Sequence, residues 1–220
     1  MEIFYRRVIG VFIVFLMMMS AASWAAEPEA DAAGQVIVVS GPFQAINKDK
    51  QTRTLRRGDY FYSGEGLMTG TNSTAQVRFS DGTIMALNPN SQIKVDEYIY
   101  KKDPKKDKST VNLIKGGFRA LTGAISKASG AYKIETPVAV IGVRGTIFAG
   151  VLDEGKLYAG VTKGGIFVKN EKGEIDLGVD KDYSYAVVDS KDTAPVGLLI
   201  PPPQLVGKCG THDNAPHTNF

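Results

Sequence analysis

Between residue 34 and about residue 189, apolar side chains come in short runs that alternate with polar ones at every second position, and glycine breaks each run before helical spacing can build up. This pattern predicts strands. Within 76–79, Val77 and Phe79 alternate with Gln76 and Arg78. Within 92–100, Ile93 and Val95 alternate with Lys94 and Asp96, so each segment has one face for a core and one for solvent. Strands are expected at 35–39, 76–79, 83–87, 92–100, 111–114, 146–152, 156–161, 166–169 and 183–188. The breaks have turn chemistry of their own. Ser80-Asp81-Gly82-Thr83 predicts a hairpin, because glycine tolerates positive φ and aspartate closes the turn. Asn88-Pro89-Asn90-Ser91 stops the strand before it, because proline has no N–H for a ladder.

Two passages recur in the same order. Asp81-Gly82-Thr83-Ile84-Met85-Ala86 is echoed by Arg144-Gly145-Thr146-Ile147-Phe148-Ala149, and Lys115-Gly116-Gly117-Phe118 by Lys163-Gly164-Gly165-Ile166. The recurrence predicts similar β-coils resting on one another. The fold class expected is all-β: a twisted, solenoid-like stack of short strands with glycine-rich turns.

The pattern changes at both ends. Arg6 and Arg7 precede an uninterrupted apolar run, 8–19, that is too short to span a bilayer comfortably, and Ser23 and Ala25 supply the small-x-small spacing of a signal-peptidase site. A secretory signal peptide is therefore expected over 1–25, cut between Ala25 and Ala26. Residues 26–33 are small and acidic and read as a disordered leader, 34–189 as one all-β domain, and 190–220 as a Pro-rich disordered tail whose residues 201–203 hold a polyproline segment. These segments make the chain an exported protein, periplasmic or secreted, with no stable membrane insertion after signal cleavage.

Signal removal leaves 195 residues carrying 24 Lys and Arg against 22 Asp and Glu, a net charge of +2 that gives no field for nucleic acid. Cys209 is the single cysteine, so no intrachain disulfide forms and packing alone must supply stability. No histidine, cysteine or paired-carboxylate motif lies within 34–189, so no catalytic residue, no cofactor and no enzyme activity are expected. The tail residues Cys209, His212, Asp213 and His217 have ligand chemistry, but a short disordered segment rarely fixes four ligands, and no metal is expected. The lysine-rich stretch 101–108 reads as a solvated hairpin tip, since Asp103 and Asp107 interrupt its charge and no aromatic is interleaved.

Two sets of residues are candidates for a binding site. Asp81 and Arg144 occupy corresponding places in the repeated passages; they are expected to pair across neighbouring coils, or else to leave Arg144 as a fork for an anionic ligand. Tyr60 and Tyr62, beside Arg56 and Arg57, would form a stacking platform for a glycan; the simpler expectation is that Phe61 packs inward while the two tyrosines cap a strand. Arg57-Gly58-Asp59 is read as a turn.

Six blocks, in register over roughly 34–169, resemble the FecR domain, the periplasmic module named for the iron-citrate uptake regulator. They are Leu55-Arg56-Arg57-Gly58-Asp59, Gly64-Glu65-Gly66-Leu67-Met68-Thr69-Gly70, Phe79-Ser80-Asp81-Gly82-Thr83, Asn88-Pro89-Asn90-Ser91, the stretch 113–117, and Thr136-Pro137 through Val143-Arg144-Gly145-Thr146. The resemblance implies an all-β, non-catalytic domain shaped like a twisted solenoid. Where the family reads Gly-Asp before its Thr-Gly turn, this chain has Gly64-Glu65. Nothing here matches the anti-sigma helix bundle, membrane helix or carboxy-terminal subdomain of the iron-uptake regulators, so their signalling circuit is not expected to carry over. The expected function is a non-enzymatic binding or scaffolding module that contacts another envelope protein in sensing or assembly. The alternative is a cell-wall or surface-glycan module that binds peptidoglycan.

Overall fold

The computed structural model describes residues 31–125 and 130–206. Their strands in chain order are β1 (Ala32–Ser40), β2 (Phe43–Ile46), β3 (Thr52–Thr54), β4 (Tyr60–Tyr62), β5 (Gly66–Thr69), β6 (Thr74–Phe79), β7 (Ile84–Leu87), β8 (Gln92–Ile99) and the long β9 (Lys108–Leu121). Then follow β10 (Tyr132–Glu135), β11 (Val140–Val143), β12 (Ile147–Asp153), β13 (Lys156–Lys163), β14 (Gly165–Asn170), β15 (Gly173–Gly178), β16 (Tyr185–Val188) and β17 (Val196–Leu198). No helix among the described residues is long and apolar enough to cross a membrane. The signal peptide, most of the leader and the Cys209/His212/Asp213/His217 group lie outside the described residues.

The strands form two ladders that share β9. The first runs β4-β1-β6-β7-β9-β12-β13-β16-β17, and the second β3-β2-β5-β8-β9-β10-β11-β14-β15. Residues of β9 up to Lys115 pair in the second ladder with β8 and β10, and those from Gly116 onward pair in the first with β7 and β12. Gly116, at φ 76°, is the corner where the strand changes ladder.

The inward faces of the two ladders meet in one core. Phe79 of the first ladder lies 5.3 Å from Tyr98 of the second, and Tyr132 of the second lies edge-on to Phe148 of the first at 6.5 Å. Phe43, Phe61, Phe79, Phe118, Phe148 and Tyr132 are the largest fully buried side chains. Period-two alternation, visible as buried Val77 and Phe79 beside exposed Arg78, is what turns each strand's apolar set toward this layer.

The repeated passages flank β9. Ile84 and Ile147 both oppose Leu121, Met85 and Phe148 both oppose Ala120, and Ala86 and Ala149 both oppose Arg119. The Lys-Gly-Gly copies are both ladder-changing corners, the second joining β13 to β14 through Gly164 at φ 80°. The chain is all-β, but stacked coils are not what the registers describe: every pair of neighbours is antiparallel except β9 with β10. The chain also continues its fold past residue 189. β17 pairs with β16, Leu205 is buried beside Ala149 and Val151, and 202–206 form turns closed by Leu205 N–H to Pro202 O (2.9 Å) and Val206 N–H to Pro203 O (3.2 Å).

Candidate partner-binding surface

Asp81 sits in the β6–β7 turn, 7% exposed, and acts as an internal tie. Its carboxylate accepts from the N–H and hydroxyl of Thr83 (3.0 and 2.9 Å), from Ile125 N–H (3.2 Å) and from the Tyr98 hydroxyl (3.2 Å). Asp81 N–H in turn donates to the Tyr98 oxygen at 2.7 Å, and the Thr83 hydroxyl accepts from Gly123 N–H at 2.8 Å. One aspartate thus fastens the hairpin to the second ladder and to the chain leaving β9.

Burial first, and then the charge of Asp81, push the pKa values of the Tyr98 and Tyr132 phenols above the ordinary 10.0. The unfolded chain releases these protons near pH 10 while the folded chain keeps them, so stability is fully present below that pH and falls as pH rises past it. Denaturation midpoints followed from about pH 8 to about pH 11 should decline only above about pH 10. The Tyr132→Phe protein should decline less steeply; its hydroxyl has no hydrogen-bond partner among the described residues, so its loss should leave stability at pH 8 intact.

Arg144 does not pair with Asp81. It is exposed beside β14, 3.9 Å from Asp176 and with its guanidinium 5.6 Å from the Phe167 ring centre. The physical reason lies in how each copy enters its strand. Asp81 closes a hairpin within the first ladder, whereas Arg144 lies where β11 of the second ladder crosses to β12 of the first, on the outside of that crossing.

The Tyr60/Tyr62 region forms a capped edge. Phe61 is buried and the two tyrosines are half-buried, as alternation predicts. Arg56 and Arg57 are exposed on a turn closed by Arg56 N–H to the Asp59 carboxylate (2.7 Å) and Asp59 N–H to Arg56 O (3.0 Å). The organising pair here, absent from the sequence reading, is Arg53 with Glu65. Arg53 donates to both Glu65 oxygens and to Tyr60 O, lies 5.9 Å from the Tyr62 ring centre, and Glu65 also accepts from Tyr62 N–H. The Gly64-Glu65 departure from the family pattern was the available signal.

Two further features have an open surface. A groove of about 900 Å³ is bounded by Asn88, Pro89, Asn90, Lys115 and Gly116 on one side and the β12–β13 turn on the other. The four strand edges differ more sharply. β3 is Thr52-Arg53-Thr54, β4 is guarded by the Arg53–Glu65 pair, and β15 carries Glu174 and Asp176, each in an ion pair. These charges guard against edge-to-edge pairing. Among the described residues β17 pairs only with β16, and the chain along and after it is apolar and exposed: Val196, then Leu199 (82%) and Ile200 (76%). Among the described residues no group of three or more His, Cys, Asp or Glu side chains could hold a metal.

The family model described as FecR protein matches residues 65–167. The block Leu55-Arg56-Arg57-Gly58-Asp59 precedes the matched stretch. Two crystal structures of a candidate anti-sigma factor from Parabacteroides distasonis align with the chain at TM-score 0.47 and 14% and 15% identity, covering 60% of it. The chain spans 57% of the length of those proteins. No curated protein matches the sequence. The family match runs from the start of β5 into β14 and takes in both copies of the repeated passage around β9, so residues 65–167 are similar to a FecR domain.

Proposed function

We propose that this chain is a non-enzymatic regulatory binding module, exported to the periplasm or beyond, that docks another envelope protein on the open edge of β17. The observation that carries the reading is the contrast among the four edges: three are charged or guarded, and the fourth is apolar and open. An extended segment added beside Val196–Leu198 would gain backbone hydrogen bonds and cover Leu199 and Ile200, which are otherwise left to water. Pro195 and Pro201 bound the open stretch, so it suits one short segment better than an indefinite sheet. The similarity to a FecR domain supports a role in signalling or regulation rather than catalysis.

A Leu199→Asp/Ile200→Asp chain should keep its melting temperature, since both side chains are exposed, and should lose at least about tenfold in affinity for the envelope protein that the unchanged chain captures. Undiminished capture by a folded variant would refute docking at this edge. The glycan alternative has less to stand on, because the Arg53 guanidinium already lies over the Tyr62 ring. Export has its own check: the protein recovered from cell envelopes should begin at Ala26 by intact mass, and a chain retaining residues 1–25 would contradict signal removal.

A further inference from the structure

We infer that the tip of the β8–β9 hairpin is a contact for an anionic phospholipid surface. The sequence argued against any anion there, because Asp103 and Asp107 interrupt the lysines. The structure gives those two carboxylates other work. Asp107 is buried and accepts from Lys101 N–H at 2.6 Å; Asp103 accepts from Lys105 N–H at 3.0 Å, while its backbone oxygen takes the N–H groups of Lys106 and Asp107. Asp107 is turned into the loop as an internal tie, and half-exposed Asp103 braces the same turn from its rim. Lys101, Lys102, Lys105 and Lys106 are all exposed, and among the described residues only Lys106 has a carboxylate, Asp103 at 3.5 Å. Lys108, at the base, is held by Glu97 at 2.6 Å. The tip therefore presents lysine charge outward on a braced backbone.

The form of this patch selects its partner. The charge sits on a hairpin tip, and neither groove, of about 900 and 390 Å³, is lined by any residue of 101–108, so a flat surface fits better than an enclosed small anion. The cations are all lysine, which act as point charges on a diffuse field and lack the planar fork that reads one phosphate bidentately. No aromatic side chain stands among 101–108 to stack a base or a sugar.

The test uses the full chain with two vesicle populations, phosphatidylcholine alone and phosphatidylcholine mixed with phosphatidylglycerol, in sedimentation at low and high salt. Arg6, Arg7 and the apolar run 8–19 are the same in wild type and in the variants below, so the loss between them isolates the charge of the tip. Wild type should bind the anionic vesicles more tightly, and salt should erase the preference. The K101E/K102E/K105E/K106E chain should bind anionic vesicles on the order of 100-fold more weakly and neutral vesicles unchanged. Should charge reversal impair folding, K101Q/K102Q/K105Q/K106Q should show the same loss at smaller size. Equal binding of wild type to both vesicle types, anionic binding undiminished in a folded variant, or sedimentation with purified peptidoglycan but not with anionic vesicles would overturn the assignment.

Discussion

Asp81→Ala should lower stability by about 3 kcal/mol or more, among the largest effects of any single polar substitution in this chain. The cost follows from what the carboxylate holds. Thr83 N–H, the Thr83 hydroxyl, Ile125 N–H and the Tyr98 hydroxyl all donate to it within 3.2 Å, and Asp81 is buried. Alanine would leave those donors without an acceptor in a site water reaches poorly, and each buried unsatisfied group costs about 1–3 kcal/mol. For a domain of this size the melting temperature should fall by roughly 10 °C. Asp81→Asn keeps one acceptor oxygen and should lose less. A melting curve for the alanine protein within about 1 kcal/mol of wild type would mean that the turn does not depend on this residue.

The glycines of the repeated passages separate two costs that positive φ alone would confuse. Gly116 and Gly164 lie in the left-handed region and are also crowded. A Cβ on Gly116 would meet Ser91 Oγ at 2.4 Å and Ser91 Cα at 2.6 Å, and one on Gly164 would meet Gly145 O at 2.4 Å. Gly82 and Gly145 are left-handed too, at φ 89° and 67°, but have nothing within 4 Å of the Cβ position. Alanine at 82 or 145 should therefore cost about 1–2 kcal/mol for conformation alone. At 116 or 164 the backbone must also move, adding about 1–3 kcal/mol. Chemical denaturation of the four single variants should rank 116 and 164 well below 82 and 145; equal losses would show that the ladder-changing corners tolerate displacement.

What the sequence disclosed and what it concealed have physical causes. Strands that bury one face announce themselves by alternation, so β6, β8 and β13 were legible at nearly their full extent. β5 and β11 read Gly-Leu-Met-Thr and Val-Ile-Gly-Val, too short and too uniformly apolar for a period to show. β9 was seen only as its residues 111–114, because Gly116-Gly117 looks like the end of a strand; in fact it is the bend that carries one strand from the second ladder to the first. The repeat was legible, but its geometry was not. Matching Gly-Thr-Ile starts flank β9 in the same register, yet one is entered from a hairpin and the other from a crossover, which buries Asp81 and leaves Arg144 in solvent.

Of the candidate site residues, alternation placed Tyr60 and Tyr62 correctly on the half-exposed face of their strand. The Arg53–Glu65 pair stands twelve residues apart, so no spacing pattern linked its members, and the Gly64-Glu65 departure marked only one of them. The tail was the larger surprise: a Pro-rich composition reads as disorder, but Val196–Leu198 adds an edge strand and Leu205 reaches the buried cluster of Ala149 and Val151. The open edge proposed for docking comes from that segment.

The most direct measurement of the docking reading is site-specific photocrosslinking in the envelope of growing cells, with the crosslinker placed at Leu199 or Ile200 and, as reference, at Val38 of β1, which is also exposed. Docking on β17 predicts one discrete adduct, the same protein from positions 199 and 200 and absent from position 38. Adducts at 38 with none at 199 or 200 would contradict it.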